Sequence, residues 1–361
     1  MSEFVQTHVT NGAGIITLDR PKALNSLSLD MVRAITAALQ QWRDDTNIAA
    51  VIIRSTSEKA LCAGGDIRFF YEVGQATPRG GSALLEDFFT EEYALNHLIH
   101  FYPKPYIALM DGVVMGGGMG IAQGGPDCGV RIVTSRTKMA MPEVNIGLFP
   151  DVGGSHFLSH APGKLGMYLG LTGATVGAAD ALYLDLADHF VPERELDALS
   201  SLLAATPGRE LRTAIASFCQ PLREGAGASE LEAQRALIDR HFAHSTVAAI
   251  MDSLRSDAAP FAQKALKMME LRSPLMMCVT QELLRRGASM SVADCLRMER
   301  NLVRRNFEHG EVIEGVRALV IDKDNQPKWN PPSLAEVSDA MVSRFFEPVW
   351  PAAAHPLRHL A

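Results

Sequence analysis

Glu143 and Asp151 lie in a stretch with little other charge, separated by Ile146-Gly147-Leu148-Phe149 and each placed beside proline or glycine. A carboxylate in such apolar company usually has a partner or a task. Burial lifts a glutamate above its ordinary value of about 4.3 and makes it a better base near neutrality. Each also has a bland reading: a buried salt bridge for Glu143, a helix N-cap for Asp151. Both readings stay open on pattern alone.

Three glycine-rich stretches accompany the acids. One is Leu61-Cys62-Ala63-Gly64-Gly65-Asp66-Ile67, the second Asp111-Gly112-Val113-Val114-Met115-Gly116-Gly117-Gly118-Met119-Gly120, and the third runs from Met141-Pro142-Glu143 to Gly153-Gly154. Glycine admits close backbone approach, and a glycine cluster that opens a helix aims free N–H groups at one point, where negative charge is favoured. Tight helix packing is the alternative for the second cluster. The dinucleotide pattern fails there because Ile121 stands where a glycine is required, and no Gly-Lys-Ser/Thr follows to make a P-loop. Two such amides meeting on one oxygen would form an oxyanion hole, in which each donor contributes roughly 3 kcal/mol.

Other groups carry less. His156 and His160 sit at i, i+4, but no glutamate follows His156 and no third ligand is evident, so no metal is expected. Ser155 follows two glycines without completing G-x-S-x-G. The pairs Arg285-Arg286 and Arg304-Arg305 read as solvated helix faces, and Met268-Met269 and Met276-Met277 as core.

These residues must be held by elements that the pattern outlines. Ala13 to Leu18, Ala49 to Arg54, Tyr106 to Met110, Val130 to Val133 and Lys138 to Met141 read as strands. Ser28 caps a helical stripe of Met31, Ile35, Ala38 and Leu39, and helical patterns cover Glu86 to His100 and Gly118 to Gln123. The alternation is that of an α/β architecture. Near residue 195 the character changes, which suggests a core over 1–195 and a helical region over 196–361. Helices are expected over Leu231 to Leu271, Leu275 to Arg285, Val292 to Phe307, Val312 to Ile321 and Leu334 to Phe346, and Pro351 to Ala361 is expected to be loose.

Composition narrows the class. A net charge of −7 without a basic stripe argues against duplex nucleic acid as a partner. No apolar run reaches membrane-spanning length, and Met1 to Arg20 has no signal-peptide pattern. The five scattered cysteines read as reduced thiols, and a cytoplasmic protein is the expectation.

Taken in order, Leu18-Asp19-Arg20-Pro21 with Leu24-Asn25, Cys62-Ala63-Gly64-Gly65-Asp66-Ile67, Lys104-Pro105, Gly116-Gly117-Gly118, Met141-Pro142-Glu143 and Gly147-Leu148-Phe149-Pro150 resemble the crotonase superfamily. By that resemblance, Gly120 stands where enoyl-CoA hydratases carry a catalytic glutamate, so one of their two carboxylates is missing. With Asp151-Val152-Gly153-Gly154, Ala293-Asp294-Cys295-Leu296, Glu314-Gly315-Val316-Arg317-Ala318 and Pro327-Lys328-Trp329, the chain looks like the 3-hydroxyisobutyryl-CoA hydrolase branch.

That resemblance implies a spiral of β-β-α turns with a C-terminal helical region that covers the site or mediates assembly. It implies hydrolysis of a short 3-hydroxyacyl-CoA ester, with CoA as part of the substrate and no further cofactor. By the same resemblance, the amides of Gly65 and Gly117 grip the thioester oxygen, Glu143 is the catalytic glutamate, Asp151 is the second acid and Glu92 contacts substrate. Ala63, Gly116, Asp66 and Ile67 would contact the acyl-CoA, and Lys22 and Arg68 would meet CoA phosphates. From the sequence alone Glu92 reads as an exposed helix residue. Enoyl-CoA hydration and non-catalytic acyl-CoA binding are the alternatives, and a homo-oligomer is compatible with either.

Overall fold

The structure, a computed structural model, describes residues 2–77 and 81–361. Its chain forms two compact units that interleave in sequence. The first comprises Met1–Gly65, Ala94–Ala140 and Val176–Glu232; the second comprises Asp66–Tyr93, Met141–Thr175 and Ala233–Ala361.

All strands among the described residues belong to the first unit: β1 (Val5–Thr10), β2 (Ala13–Leu18), β3 (Ala50–Ser55), β4 (Ala60–Cys62), β5 (Tyr106–Met110), β6 (Val113–Met115), β7 (Gly129–Thr134), β8 (Lys138–Ala140) and β9 (His189–Val191). They make a six-stranded sheet in the order β1-β2-β3-β5-β7-β9 and a three-stranded sheet in the order β4-β6-β8. Only β1 and β2 pair antiparallel, across a turn in which Asn11 and Gly12 both have positive φ, as a two-residue hairpin requires. The other pairs are parallel. Successive strands go to alternate sheets: β3 to the large one, β4 to the small, then β5 and β6, then β7 and β8. This is the β-β-α spiral, and past β9 every regular element among the described residues is helical.

Parallel strands need both faces covered and so read as continuous apolar runs. Residues 50–53 of β3 are all buried. Ile15, Ile52, Ile107, Val130 and Ile132 share one core with Leu199, Leu203, Leu211 and Ile215 of two following helices. The expected cap is present: Ser28 Oγ accepts from the Met31 amide at 3.3 Å and opens the helix Leu29–Arg43. The sequence did not announce β1, β4, β6 and β9. Three of them have only three residues, too few for any periodicity to show.

In the second unit, the rings of Phe70, Phe88, Phe89 and Phe307 form a cluster, edge-to-face for Phe70–Phe88 with centroids 4.8 Å apart and tilted for Phe89–Phe307 at 5.8 Å. The long helix expected over Leu231 to Leu271 is broken into Glu230–Ala233, Arg235–Phe242, Val247–Arg255 and Pro260–Glu270, because Thr246 caps one segment and Pro260 opens another. Arg304 and Arg305 are not a solvated face: both pair with Glu308, and Arg304 also reaches Glu86 at 2.9 Å. Nor is the C-terminal stretch loose. His355 and Leu357 are buried, and the Arg297 guanidinium donates to the Leu360 carbonyl at 2.9 Å. Among the described residues, no helix is long and apolar enough to cross a membrane.

Candidate active site

Two of the three glycine stretches meet inside the first unit. A methyl group built on Gly64 would lie 3.1 Å from the Met115 carbonyl and 3.5 Å from the Gly117 nitrogen, so the loop after β4 rests on the backbone after β6. Gly116 adopts φ 51° and ψ −122°, a conformation that a Cβ opposes, and it turns the chain into the helix Gly117–Ala122. Gly118 makes a close approach: a Cβ there would sit 2.1 Å from the Cys62 carbonyl oxygen. Gly117 is the first helical residue, so its amide has no intrahelical acceptor. Among the described residues neither it nor the Gly65 amide donates to a backbone carbonyl outside regular elements. The Ala63 amide is committed to the Leu24 carbonyl at 3.0 Å. Lys22 is exposed. Gly120 is buried in the short helix and contributes no side chain.

The second unit gathers the acids. Glu143 opens a short 3₁₀ turn to Ile146 that ends at Gly147, where the Leu148 amide returns to the Glu143 carbonyl at 3.0 Å. Asn306 Nδ2 holds the Gly147 carbonyl at 2.8 Å, and Gly315 leaves room for the Ile146 carbonyl, which a Cβ would meet at 2.2 Å. The distal Glu314-Gly315-Val316 stretch therefore buttresses the turn that carries Glu143.

Glu92, Glu143, Asp151 and Glu299 are all buried. Glu92 is thus not the exposed helix residue that its sequence context suggested. Burial pushes Glu143 well above the usual carboxylate range, and the negative charges of Asp151, Glu92 and Glu299 add to it. Glu92 is raised by burial and then by Asp151. Asp151 is pushed up to about 6 by burial, partly offset by the Tyr93 hydroxyl, which donates to its Oδ2 at 2.6 Å. Neither bland alternative holds. Asp151 spends its side chain on Tyr93, while Gly153 stands at the start of the helix Gly154–Phe157. The charged groups acting on Glu143 are anions, and its Oε2, like Glu92 Oε1, is buried without a hydrogen-bond partner among the described residues. Buried acceptors left open are costly unless something fills them.

Asp66 caps the helix Ile67–Ala76 through the Phe69 amide at 3.3 Å; Ile67 is half-buried and Arg68 is exposed. The rings of His156 and His160 stack at 4.3 Å, and no group of three metal-binding side chains occurs among the described residues. Sequence reasoning missed Tyr93 and Glu299. The signal for Glu299 was present: it falls on the buried stripe of Cys295, Leu302, Val303 and Phe307.

The chain matches the profile of the enoyl-CoA hydratase/isomerase family over residues 13–346. A protein of Xenopus tropicalis named 3-hydroxyisobutyryl-CoA hydrolase, mitochondrial, is 41% identical over 341 residues, covering 92% of this chain and 86% of that protein. Two solved structures are similar throughout. A carnitinyl-CoA dehydratase from Mycobacterium thermoresistibile has a TM-score of 0.87 at 41% identity, covering 97% of this chain and 98% of that one. An enoyl-CoA hydratase from Rhodobacter sphaeroides has a TM-score of 0.84 at 36% identity, covering 96% and 98%.

Proposed function

Because this chain belongs to the enoyl-CoA hydratase/isomerase family, we propose that it is an acyl-CoA thioester hydrolase that converts 3-hydroxyisobutyryl-CoA to 3-hydroxyisobutyrate and CoA, as in valine degradation. The observation that carries the choice within the family is the pairing of buried Glu143 and Asp151 with a bare Gly120. Hydration across an enoyl double bond needs a second acid beside the glycine cluster, and none is supplied there. Hydrolysis needs one carboxylate against a polarised carbonyl.

In this reading the amides of Gly65 and Gly117 receive the thioester oxygen. Glu143 either adds to the carbonyl carbon or takes a proton from a water that adds. The carbonyl π electrons move onto oxygen, where two donors stabilise them. The C–S bond then breaks and CoA leaves as thiolate. On the covalent route a water cleaves the resulting anhydride. Asp151 meets the 3-hydroxyl or relays the proton. Glu92, Ala63, Gly116, Asp66 and Ile67 contact the substrate, with Lys22 and Arg68 toward the CoA phosphates. No cofactor beyond the CoA of the substrate enters this scheme. Single turnover in ¹⁸O water tests the covalent route: label in Glu143 marks an anhydride opened at the glutamyl carbonyl.

The rival is hydration, the activity named for one of the similar solved structures. Free-thiol release from 3-hydroxyisobutyryl-CoA, run beside crotonyl-CoA hydration, decides between them. Hydration without thiol release would overturn the hydrolase reading.

The ionised acids set a pH profile. Glu143 must be ionised to add or to take a proton, and it is held well above the usual carboxylate range, so kcat/KM should fall as pH drops through that raised value. Where Asp151 relays the proton, a second fall, the acidic limb, follows through about 6. Tyr93→Phe removes the hydroxyl that holds Asp151 down, so the acidic limb should move to higher pH by roughly one unit. A limb left in place would separate Tyr93 from Asp151 titration.

Placement in a reducing compartment, with the cytoplasm as the specific reading, draws on the odd number and scattered positions of the five cysteines in the sequence. Cell fractionation tests it against the mitochondrial placement named for the Xenopus protein. Self-assembly is part of the same proposal, and light scattering measures it.

A further inference from the structure

The segment that leaves Asp151 is bent in an unusual way. Val152 has φ 53° and Gly153 φ 88°, two left-handed residues in succession. For a β-branched valine that conformation is strained, and it persists only where the surroundings enforce it. Glu299, on the helix Val292–His309, provides the enforcement. Its Oε2 accepts from the Gly153 amide at 2.8 Å. Its Oε1 accepts from the Ser155 amide at 3.0 Å and from Ser155 Oγ at 2.5 Å. Glu299 and Ser155 are both fully buried, and Gly287 lets the helix Pro274–Gly287 close on the Ser155 carbonyl, where a Cβ would sit at 2.1 Å. One side chain thus satisfies the amides that bracket the turn, from far along the sequence.

We propose that Glu299 is a positioning residue: by holding the Gly153–Ser155 turn in place it fixes the Asp151 carboxyl in the geometry that turnover requires. The proposal rests on the reading of Asp151 as the second acid. Glu299 itself touches no reacting atom. It acts through the backbone, on a carboxyl that Tyr93 holds on its other side. The titratable groups that act on this neighbourhood are Tyr93, Glu92 and Glu143 beside Asp151, with Cys295 one turn before Glu299 on its own helix. Burial pushes Glu299 up to about 8, while the Ser155 and Gly153 hydrogen bonds hold it down.

The test compares Glu299→Ala, Glu299→Gln, Ser155→Ala and Asp151→Asn, with Glu308→Ala on the same helix as control. Glu299→Ala strands two amides and frees the turn. kcat should fall about 10- to 100-fold, the scale of a small misplacement of a catalytic group, while KM stays within about twofold. A freed turn also hydrates Asp151, so the acidic limb should move below its wild-type position near 6. Glu299→Gln sets an amide donor against an N–H and should give an intermediate loss. Ser155→Ala removes one donor and should give a smaller shift of the same sign. If Glu299→Ala does not fold, those two variants carry the test. A kcat and a pH limb unchanged in all three would overturn the proposal. An active Asp151→Asn would instead overturn the role given to Asp151. A kcat loss with no movement of the limb assigns Glu299 to general stability and also overturns it.

Discussion

Glu143→Gln is expected to lower free-thiol release from 3-hydroxyisobutyryl-CoA by on the order of 10³-fold or more, with CoA binding retained. Glutamine keeps the shape and removes both the nucleophile and the base. The residue lies in an anionic cluster, with Asp151, Glu92 and Glu299 acting on it and its Oε2 open. The same substitution has a consequence for stability with a definite sign. The folded protein holds Glu143 above its unfolded value, so the native state binds more protons across that interval. Stability from this group is present at low pH and is lost as pH rises from the ordinary carboxylate range toward the raised one. Glu143→Gln should therefore unfold at a higher temperature than the wild type at pH 8, with a smaller difference at pH 4. Thermal denaturation at the two pH values measures this. A variant that is inactive and also less stable at pH 8 would point to a structural glutamate.

The second large effect is expected at Gly118. Helix propensity alone favours alanine over glycine by about 1 kcal/mol. Here a Cβ would lie 2.1 Å from the Cys62 carbonyl oxygen and 2.9 Å from its carbon, both backbone atoms that cannot swing aside. Gly118→Ala must push the helix Gly117–Ala122 away from the end of β4. The Gly117 amide moves with it, away from the loop that carries Gly65. The expected outcome is a kcat/KM lower by about 10²-fold, the scale of one lost oxyanion donor, and a stability loss of about 1–3 kcal/mol from overpacking. A stabilised and fully active Gly118→Ala would show that propensity outweighs the contact and would remove Gly117 from the proposed mechanism.

The sequence made the strands of the large sheet readable where they are buried on both faces, as in β3 and β5, because a parallel strand has no polar side to interrupt its apolar run. β4 and β6 were invisible, since three residues cannot display a period, although the glycines just after them were conspicuous. Glu143 and Asp151 stood out through their apolar neighbours. Glu92 did not, because its helix is buried on several sides, at Phe88, Phe89, Tyr93, Leu95 and Ile99, and so lacks a clean polar face against which an inward glutamate would look out of place. Tyr93 and Glu299 were missed for a different reason. Their roles come from pairings across 58 and 144 residues, with Asp151 and Ser155, which only the fold brings about.

The alternation of successive strands between two sheets also bears on biogenesis. Each sheet lengthens at one border in the order of synthesis: β3, β5, β7 and β9 in one, β4, β6 and β8 in the other. A nascent chain can therefore lay down each new strand beside one already in place. The cost is a succession of temporarily open borders, each a template for pairing with a neighbouring chain. A nascent chain whose Ala140 has just emerged from the ribosome would present two of them at once, along β7 and β8, which makes that interval a stage of translation at which chaperone capture should matter.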